Sequence, residues 1–291
     1  MKAVVLAAGF GNRLEPLTNS VPKPMLRICG KPIIRHIVDD LVNSGFDEIC
    51  IVVGYLSEQI IDYFHLQLHN AKITFVIQKQ IQGTADALLQ AQNFVDGDNF
   101  LLYLSDTFIP EDLQNVTSKM LSDDSDISIL SSHVPDNKIS STGTILLDGD
   151  VVLEILEKQE DSPSNIAWAG VAFFHDCTIF EKIQEKITTT KNLEITEILN
   201  YNIKNGLKIK NYLCSEFIDA GTPEGLFQVS KFLLTNFFTT TCPPSAKLFN
   251  PIFISSSSTM GKNCEIGPYV TIEDNCTIGN NVKLYLSCHL D

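Results

Sequence analysis

The sequence predicts an α/β fold in which helices flank a mixed, mostly parallel β-sheet, followed by a short left-handed parallel β-helix. In the first hundred residues, apolar runs of strand length alternate with stretches of helical periodicity, which is the order of elements in a parallel sheet covered on both faces. After about residue 125, turn residues join short apolar runs into a hairpin. After residue 250, a bulky aliphatic residue recurs at every sixth position, the repeat of a parallel β-helix.

The alternation of strand and helix begins with the first residues of the sequence. The segment after Pro32 shows the helical pattern clearly, because Ile33, Ile37 and Leu41 share one face and Gly45 follows as a stop signal. Such an order of elements favours a Rossmann-like sheet. The predicted elements are strand Ala3–Ala7, helix Pro32–Asn43, strand Ile49–Val53, a helix after Leu56, strand Ile73–Ile77, a helix after Thr84, and strand Phe100–Leu104.

A different pattern follows this first half. Strands are predicted at Ile127–Leu130, Thr144–Leu147, Val151–Leu156 and Val171–Phe174, and the turn residues 148–150 join the middle two as a hairpin. Insertions of this kind commonly shape the pocket of a second substrate, although the order of elements alone does not show it.

The six-residue repeat sets residues 251–291 apart from the rest of the sequence. Small residues, among them Cys264, Cys276 and Cys288, occupy the second inward register, where cysteine acts as a small hydrophobe. Pro- and Thr-containing residues 239–250 are interpreted as a linker between domain 1–238 and the repeat. With about two coils, the repeat is expected to pack on its neighbour domain or on a partner subunit, or to be a truncated part of a longer repeat, and a homo-oligomer is predicted.

Composition excludes several classes of protein. The chain has 291 residues, and 44% of them are hydrophobic, which favours a soluble globular protein with a large core. Its net charge of −14 argues against a nucleic-acid binder. Its apolar runs fall short of the ~20 residues of a membrane helix, and the apolar start is interpreted as a buried strand rather than a signal peptide. The eight cysteines form no C-x-x-C pair, so a reducing, cytoplasmic location is expected.

The loop after the first strand carries the strongest local signal for an anion site. Residues 1–38 hold six Lys or Arg residues against one acid, Glu15. Gly9 and Gly11 allow backbone amides to face a phosphate closely, and Arg13 and Lys23 supply cations nearby. The third glycine of the dinucleotide fingerprint is missing, and the P-loop pattern is absent.

Several separated motifs, in order, resemble those of the sugar-1-phosphate nucleotidyltransferases. The first is AAGFGNRLEPLT, followed by PKPM. The others are Gln78 with Gly83-Thr84-Ala85, Leu104-Ser105-Asp106, Glu157-Lys158, Ala169-Gly170, Glu194, and Asp219 in Asp219-Ala220-Gly221-Thr222-Pro223. The resemblance covers about residues 1 to 235, and the hexapeptide tail resembles one that many members append.

This resemblance implies transfer of a nucleotidyl group from a nucleoside triphosphate to a sugar 1-phosphate, with release of pyrophosphate. It favours UTP or dTTP and glucose or N-acetylglucosamine 1-phosphate as substrates. The implied catalytic residues are Arg13, Lys23 and Lys158, and the implied nucleotide-binding residues are Ala8, Gly9, Gly11, Asn12, Gln78, Gly83 and Thr84. The sugar-binding residues would be Glu157, Gly170 and Glu194, and Asp106 and Asp219 would hold Mg²⁺, whose ligands are hard oxygens. Asp106 also ends a predicted strand, where open α/β sheets bind ligands.

Departures from the family pattern leave two alternatives open. The family has Gly at the position of Ser105, and Asn or Asp at the position of Thr107. It has Pro at the position of Gln159 and Asn at the position of Trp168. The alternatives are a mannose-1-phosphate guanylyltransferase and a catalytically weak regulatory subunit that binds nucleotide sugars. Acyl transfer by the tail is disfavoured, because about two coils offer little cleft and His289 is the only histidine there.

Some of these residues also have structural interpretations. Glu194 could cap a helix, Gln78 could be a polar strand end, and Glu157 with Lys158 could form a solvated pair. The spacing of His65 and His69 indicates a surface helix face rather than a zinc site.

Overall fold

The computed structural model describes residues 1–66, 70–237, 246–285 and 289–290. The strands of the first part are β1 (Lys2–Ala7), β2 (Arg27–Ile28), β3 (Lys31–Pro32), β4 (Glu48–Val53), β5 (Lys72–Ile77), β6 (Phe100–Leu104), β7 (Thr107–Phe108), β8 (Ile127–His133), β9 (Gly143–Asp148), β10 (Val151–Glu157), β11 (Ile166–Phe174), β12 (Ile209–Leu213) and β13 (Ile218–Asp219). The helices are α1 (Ile33–Asn43), α2 (Ser57–His65), α3 (Thr84–Gln90), α4 (Gln92–Val95), α5 (Leu113–Leu121), α6 (Asp136–Ile139), α7 (Thr178–Ile187), α8 (Ile195–Lys204) and α9 (Pro223–Phe237). The predicted strands and helices of both halves lie where the sequence placed them, within a few residues at their ends.

In the part of the chain that the structure describes, nine strands form the central sheet, in the order β5-β4-β1-β6-β11-β8-β12-β10-β9. The half built from β5, β4, β1 and β6 is parallel, as predicted. In the other half β11 runs antiparallel to both β6 and β8, and β10 runs antiparallel to β12 and β9. Because β8 and β12 are parallel to each other, β10 and β11 are the two strands that run against the direction of the rest of this sheet. The sheet is therefore mixed and mostly parallel, as predicted.

The core lies on both faces of this sheet. Alternate residues of β1 point to opposite faces, as the strand period of two requires: Ala3, Val5 and Ala7 pack with α1, α2, α5 and α9, whereas Val4 and Leu6 pack with α3, α7 and α8. Within the described residues, the structure contains no helix with the length and apolar character needed to cross a membrane.

The tail forms three short parallel ladders. Its strands are β14 (Ala246–Leu248), β15 (Ile252–Ile254), β16 (Thr259–Met260), β17 (Cys264–Ile266), β18 (Val270–Ile272), β19 (Thr277–Ile278), β20 (Lys283–Leu284) and β21 (His289–Leu290). Partners such as Ile252 and Val270 lie 18 residues apart, which is one coil of three hexapeptides. Cys264 is buried inward and Cys276 is half-buried, as predicted.

The tail packs on the first domain, as the sequence led us to expect. Phe253 and Tyr269 contact the core face that contains α1 and α9. His69, Cys242, Cys288 and linker residues 239–245 lie outside the described residues.

Candidate active site

The loop after β1 is built around Gly11. Gly11 has a φ of +75°, and a Cβ on it would lie 2.9 Å from Cβ of Lys23 and 3.1 Å from Cγ2 of Thr18. The Thr18 hydroxyl donates to the Gly11 carbonyl at 3.0 Å. A Cβ on Gly9, by contrast, would meet no described atom within 4 Å. The close packing at Gly11 therefore fixes the loop against the segment that carries Lys23, while Gly9 leaves open space beside the backbone.

Two cations and two carboxylates meet at the carboxyl end of the parallel strands. Lys23 Nζ lies 2.7 Å from Oδ2 of Asp106, and Arg13 forms a two-pronged contact with Asp219, 2.6 Å for Nη1 to Oδ2 and 3.3 Å for Nη2 to Oδ1. Arg13 Nη2 also approaches Asp106 Oδ2 at 3.8 Å. These four side chains come from three separate regions of the sequence, and all four were predicted site residues.

Backbone pairing holds the two carboxylates at one edge. Strand β13 pairs with β7, which places Asp219 opposite Thr107, and the N–H of Ala220 donates to the Asp106 carbonyl at 2.8 Å. A Cβ on Gly221 would lie 2.6 Å from Nη2 of Arg13, so glycine at this position makes room for the guanidinium. Burial favours neutral Asp106, but the charges and hydrogen bond of Lys23, together with Arg13, hold its pKa below the ordinary value.

A cavity of about 460 Å³ adjoins this cluster, and Arg13, Asp106 and Asp219 line it whereas Lys23 does not. It is lined by polar and charged residues from several elements, many of them predicted: Arg13, Thr84, Asp106, Thr107, Ser141, Thr142, Gly143, Glu157, Lys158, Trp168, Gly170, Glu194, Ile195, Thr196, Phe217 and Asp219. Also in its lining, Lys158 Nζ lies 3.3 Å from Oε1 of Glu157, and both side chains are exposed. They form the solvated pair that the sequence allowed, and that pair faces the cavity.

Gly170 and Trp168 shape the wall of the cavity through a bulge. The pairing of β11 with β8 shifts between Trp168 and Val171, and the indole Nε1 donates to the Val171 carbonyl at 3.0 Å. Gly170 has a φ of +73°, and a Cβ on it would lie 2.9 Å from the Thr107 hydroxyl oxygen. Trp168 is 8% exposed. The indole of Trp168 therefore closes a strand irregularity as well as lining the cavity.

Glu194 is a helix cap and also a cavity residue. It is the N-cap of α8, and its N–H donates to the carboxylate of Glu197 in a capping box. The Thr84 hydroxyl donates to Oε2 of Glu194 at 2.6 Å and accepts the N–H of Ile195 at 2.9 Å. Thr84 thus joins the starts of α3 and α8 at the cavity wall.

Gln78 and Gly83 are held by contacts within the protein. The Gln78 amide donates to the Gly83 carbonyl at 3.1 Å and to Oδ2 of Asp86 at 2.7 Å, and the side chain is buried. Gly83 has a φ of +91°, and a Cβ on it would lie 2.3 Å from the Leu193 carbonyl oxygen. Gln78, Gly83, Ala8, Gly9, Gly11 and Asn12 are not among the residues that line the cavity, and their base-reading or loop roles stay predictions.

Thr196 is a cavity residue that the sequence analysis missed. Its Oγ1 is buried and makes no hydrogen bond within the described part of the chain, although Thr196 lines the cavity. The available signal was the capping-box pattern Glu194-Ile195-Thr196-Glu197, which places Thr196 in the first helical turn. A buried hydroxyl without a partner is costly, so this one is suited to a ligand.

Comparison with known proteins identifies the family. The profile of the nucleotidyl transferase family matches residues 2–236. The chain belongs to this family. The bacterial transferase hexapeptide profile matches residues 257–285. Both matches confirm the resemblance drawn from the motifs, and with it the assignment as a nucleotidyltransferase.

Three relatives place this nucleotidyltransferase more closely. It is 35% identical over 240 residues to the bifunctional protein GlmU of Methanocaldococcus jannaschii, covering 80% of this chain and 54% of the relative. It is 34% identical over 231 residues to the UTP–glucose-1-phosphate uridylyltransferase AglF of Haloferax volcanii, covering 77% and 93%. The crystal structure of a UDP-glucose pyrophosphorylase complexed with UDP-glucose matches with a TM-score of 0.70 at 27% identity, covering 79% of this chain and 97% of that one. The chain spans about half the length of the GlmU relative.

Proposed function

We propose that this nucleotidyltransferase joins UTP or dTTP to glucose or N-acetylglucosamine 1-phosphate, with UTP and glucose 1-phosphate favoured, releasing pyrophosphate. The observation that supports this most strongly is one cavity lined both by Arg13, Asp106 and Asp219 and by Glu157, Lys158 and Thr196, with Lys23 bound to Asp106. We assign the first group, the nucleotide end, to the triphosphate and the second group, the other end, to the sugar phosphate. In-line transfer between two phosphate-bearing substrates needs positioning and charge stabilisation rather than a protein nucleophile. A cavity with two such ends suits that requirement.

At the nucleotide end, Arg13 and Lys23 bind the triphosphate. An oxygen of the sugar phosphate attacks the α-phosphorus, the bond from the α-phosphorus to the bridging oxygen breaks, and pyrophosphate leaves with its charge facing these cations. Arg13 is 54% exposed and offers a planar, two-pronged donor set to phosphate oxygens. Lys23 is 14% exposed and supplies a point charge at a fixed position.

Asp106 and Asp219 would hold Mg²⁺ at this end. The donor set fits, because Mg²⁺ is usually bound by one or two carboxylates together with substrate phosphates. No group of three or more His, Cys, Asp or Glu side chains suited to a metal is found in the described ranges. Bound there, Mg²⁺ would neutralise charge on the phosphates.

At the other end, Lys158 binds the phosphate of the sugar, while Glu157, Glu194 and Thr196 contact its hydroxyl groups. The carboxylates are acceptors for sugar hydroxyls, and the unpartnered Thr196 hydroxyl can donate or accept. Gln78 and Gly83 act on the base through the loop that they fix. UTP and glucose 1-phosphate are favoured because the named substrates of AglF and the ligand of the matched crystal structure are of that kind.

Pyrophosphate release tests the proposal. Purified protein with Mg²⁺ is assayed with each combination of UTP, dTTP, GTP, CTP or ATP and glucose, N-acetylglucosamine or mannose 1-phosphate. We expect the highest rate with UTP and glucose 1-phosphate, and no release when either substrate is omitted. A GTP and mannose 1-phosphate profile would instead support a guanylyltransferase, and nucleotide binding without any turnover would support the regulatory alternative suggested by Ser105, Thr107 and Trp168.

The remaining predictions concern organisation. We infer a nucleotidyltransferase domain at 1–238, a linker at 239–250 and a hexapeptide domain at 251–291, with the repeat coiled left-handed. We also infer a homo-oligomer located in the cytoplasm. Light scattering tests whether the protein is a homo-oligomer, and a monomer at high concentration would contradict that inference.

A further inference from the structure

A buried carboxylate joins the tail to the first domain. Glu273 follows β18 and is 1% exposed. Its two oxygens accept the N–H of Gly30, at 3.1 Å for Oε1 and 2.9 Å for Oε2, and Oε2 lies 3.5 Å from Nε of Arg27. The adjacent Asp274 accepts from Nη2 of Arg27 at 2.6 Å. A carboxylate this buried requires such partners, so Glu273 depends on its contacts with Gly30 and Arg27.

The partner of Glu273 is the turn between β2 and β3. Cys29 and Gly30 both have positive φ, +53° and +86°. A Cβ on Gly30 would lie 2.6 Å from Cζ of Phe253, so the tail packs directly on the turn. Nη2 of Arg27 also donates to the Gly30 carbonyl at 2.7 Å within the hairpin. The hairpin and the tail therefore interlock through hydrogen bonds, charge and close packing.

The same hairpin continues directly from the turn that carries Lys23. Residues Lys23–Met25 form one 3-10 turn, and the N–H of Leu26 donates to the Lys23 carbonyl at 3.1 Å. The N–H of Ile33 then donates to the Leu26 carbonyl at 3.0 Å. Lys23 and Arg27 are thus four residues apart in one hydrogen-bonded unit, with Asp106 at one end and the tail at the other.

Contacts from the first domain support part of the hairpin formed by β2 and β3. The ring Nε2 of His36 on α1 contacts the Ile28 carbonyl at 2.9 Å, and α9 packs against β2. The turn itself, at Gly30, is held by the tail. Cys29 beside it is buried in the core of the first domain. Loss of the tail contact would therefore free Gly30 while leaving Cys29 and β2 supported.

We propose that Glu273 is a positioning residue, through which the hexapeptide tail sets the place of Lys23 in the nucleotide site. This inference depends on the proposed function, because it gives Lys23 the triphosphate as its ligand. It assigns the tail a part in triphosphate binding, although none of the described tail residues lines the cavity.

The test is a double-mutant cycle between Glu273 and Lys23 in the full chain. Binding of UTP with Mg²⁺ is measured by calorimetry without sugar phosphate, and KM is measured for each substrate. We expect Glu273→Ala to weaken UTP binding roughly 3- to 10-fold, as coupled neighbours do, with KM for the sugar phosphate unchanged. In a Lys23→Ala background the same change is expected to have no further effect, and Glu273→Gln, which keeps a hydrogen-bond acceptor, is expected to recover part of the affinity.

Glu265→Gln is the matched control. Glu265 lies on β17 of the tail and pairs with Lys247 and Lys283, at 3.9 and 3.4 Å, both within the tail. It is expected to leave UTP binding unchanged. If Glu273→Ala loses the folded tail, Arg27→Gln tests the same link from the hairpin side and is expected to weaken UTP binding in the same selective way.

Three results would overturn the inference: unchanged UTP binding in a folded Glu273→Ala protein, an equal effect in the Lys23→Ala background, or an equal rise of KM for both substrates. Failure of the proposed function is recognised separately, because the wild-type chain would then release no pyrophosphate. The calorimetric cycle needs UTP binding but no turnover, so it still reports on the link between Glu273 and Lys23 in a chain that binds UTP without releasing pyrophosphate.

Discussion

The ion pair of Lys23 and Asp106 allows a quantitative prediction for Asp106→Asn. The substitution keeps the size of the side chain but removes the charge 2.7 Å from a Lys23 ammonium that is 14% exposed. Breaking a fully buried pair costs about 3–5 kcal/mol, and an exposed pair is worth less than about 1 kcal/mol. Because Asp106 is 28% exposed, we expect a loss of about 2 kcal/mol in the free energy of unfolding, between these limits.

Asp219→Asn is the matched comparison. Its partner Arg13 is 54% exposed, so water can solvate the guanidinium and we expect a loss below about 1 kcal/mol. Both variants are expected to lose turnover by about 100-fold or more, since each removes a preorganised charge from the site. The two variants are therefore expected to have similar turnover rates but different free energies of unfolding.

Thermal unfolding at pH 7.5 without Mg²⁺ measures the difference. For a domain of this size, about 2 kcal/mol corresponds to a fall in Tm of roughly 4–8 °C. The pKa of Asp106 is held below its ordinary value of 3.8, so the stability it contributes is present above that pH and is lost as the pH falls through the lowered pKa. The reasoning is refuted if Asp106→Asn unfolds at the wild-type temperature, or if Asp219→Asn is the less stable variant.

Three further predictions follow. Burial, and after it the charge of Asp39, raises the pKa of Asp40 to about 7. The free energy of unfolding should therefore fall as the pH rises from about 4 to 7. Asp40→Asn should raise the free energy of unfolding at pH 8 by at most about 4 kcal/mol. Gly83→Ala should cost about 3 kcal/mol in urea unfolding, because a Cβ would lie 2.3 Å from the Leu193 carbonyl oxygen. Thr196→Val should raise KM for the sugar phosphate about 3- to 10-fold without loss of stability, because the hydroxyl has no described partner in the chain.

Each of these has a clear contrary outcome. A benefit from Asp40→Asn that is as large at pH 4 as at pH 8 would show that ionisation is not its cause. Wild-type stability of Gly83→Ala would mean that the loop relaxes around the methyl group. A destabilised Thr196→Val with an unchanged KM would make Thr196 a structural residue.

Sequence periodicity was sufficient for the elements but not for their arrangement. The buried strand β1 and the amphipathic helix α1 follow from local patterns of period two and 3.6, which depend only on neighbouring residues. The insertion of β11 between β6 and β8 joins strands far apart in sequence, and no local pattern encodes that pairing. The six-residue repeat predicted the tail well because each coil stacks on one 18 residues away.

The site was predicted in its residues but not in its contacts. The bond from Arg13 to Asp219 joins positions 206 residues apart, and the motifs named both residues without showing that they touch. Gln78 and Gly83 were predicted to read the base, whereas the described contacts of both are internal. Thr196 was missed because one hydroxyl in a helical turn is unremarkable until its burial and lack of a partner are known.

The most direct test of the proposed function is product stoichiometry with UTP, glucose 1-phosphate and Mg²⁺, measured by mass spectrometry of the nucleotide sugar together with a pyrophosphate assay. We predict one UDP-glucose for each pyrophosphate released, and neither product when glucose 1-phosphate is omitted. Pyrophosphate or phosphate release without a nucleotide sugar, or no reaction with any triphosphate and sugar 1-phosphate pair, would contradict the proposal that the two ends of the cavity hold two substrates for transfer.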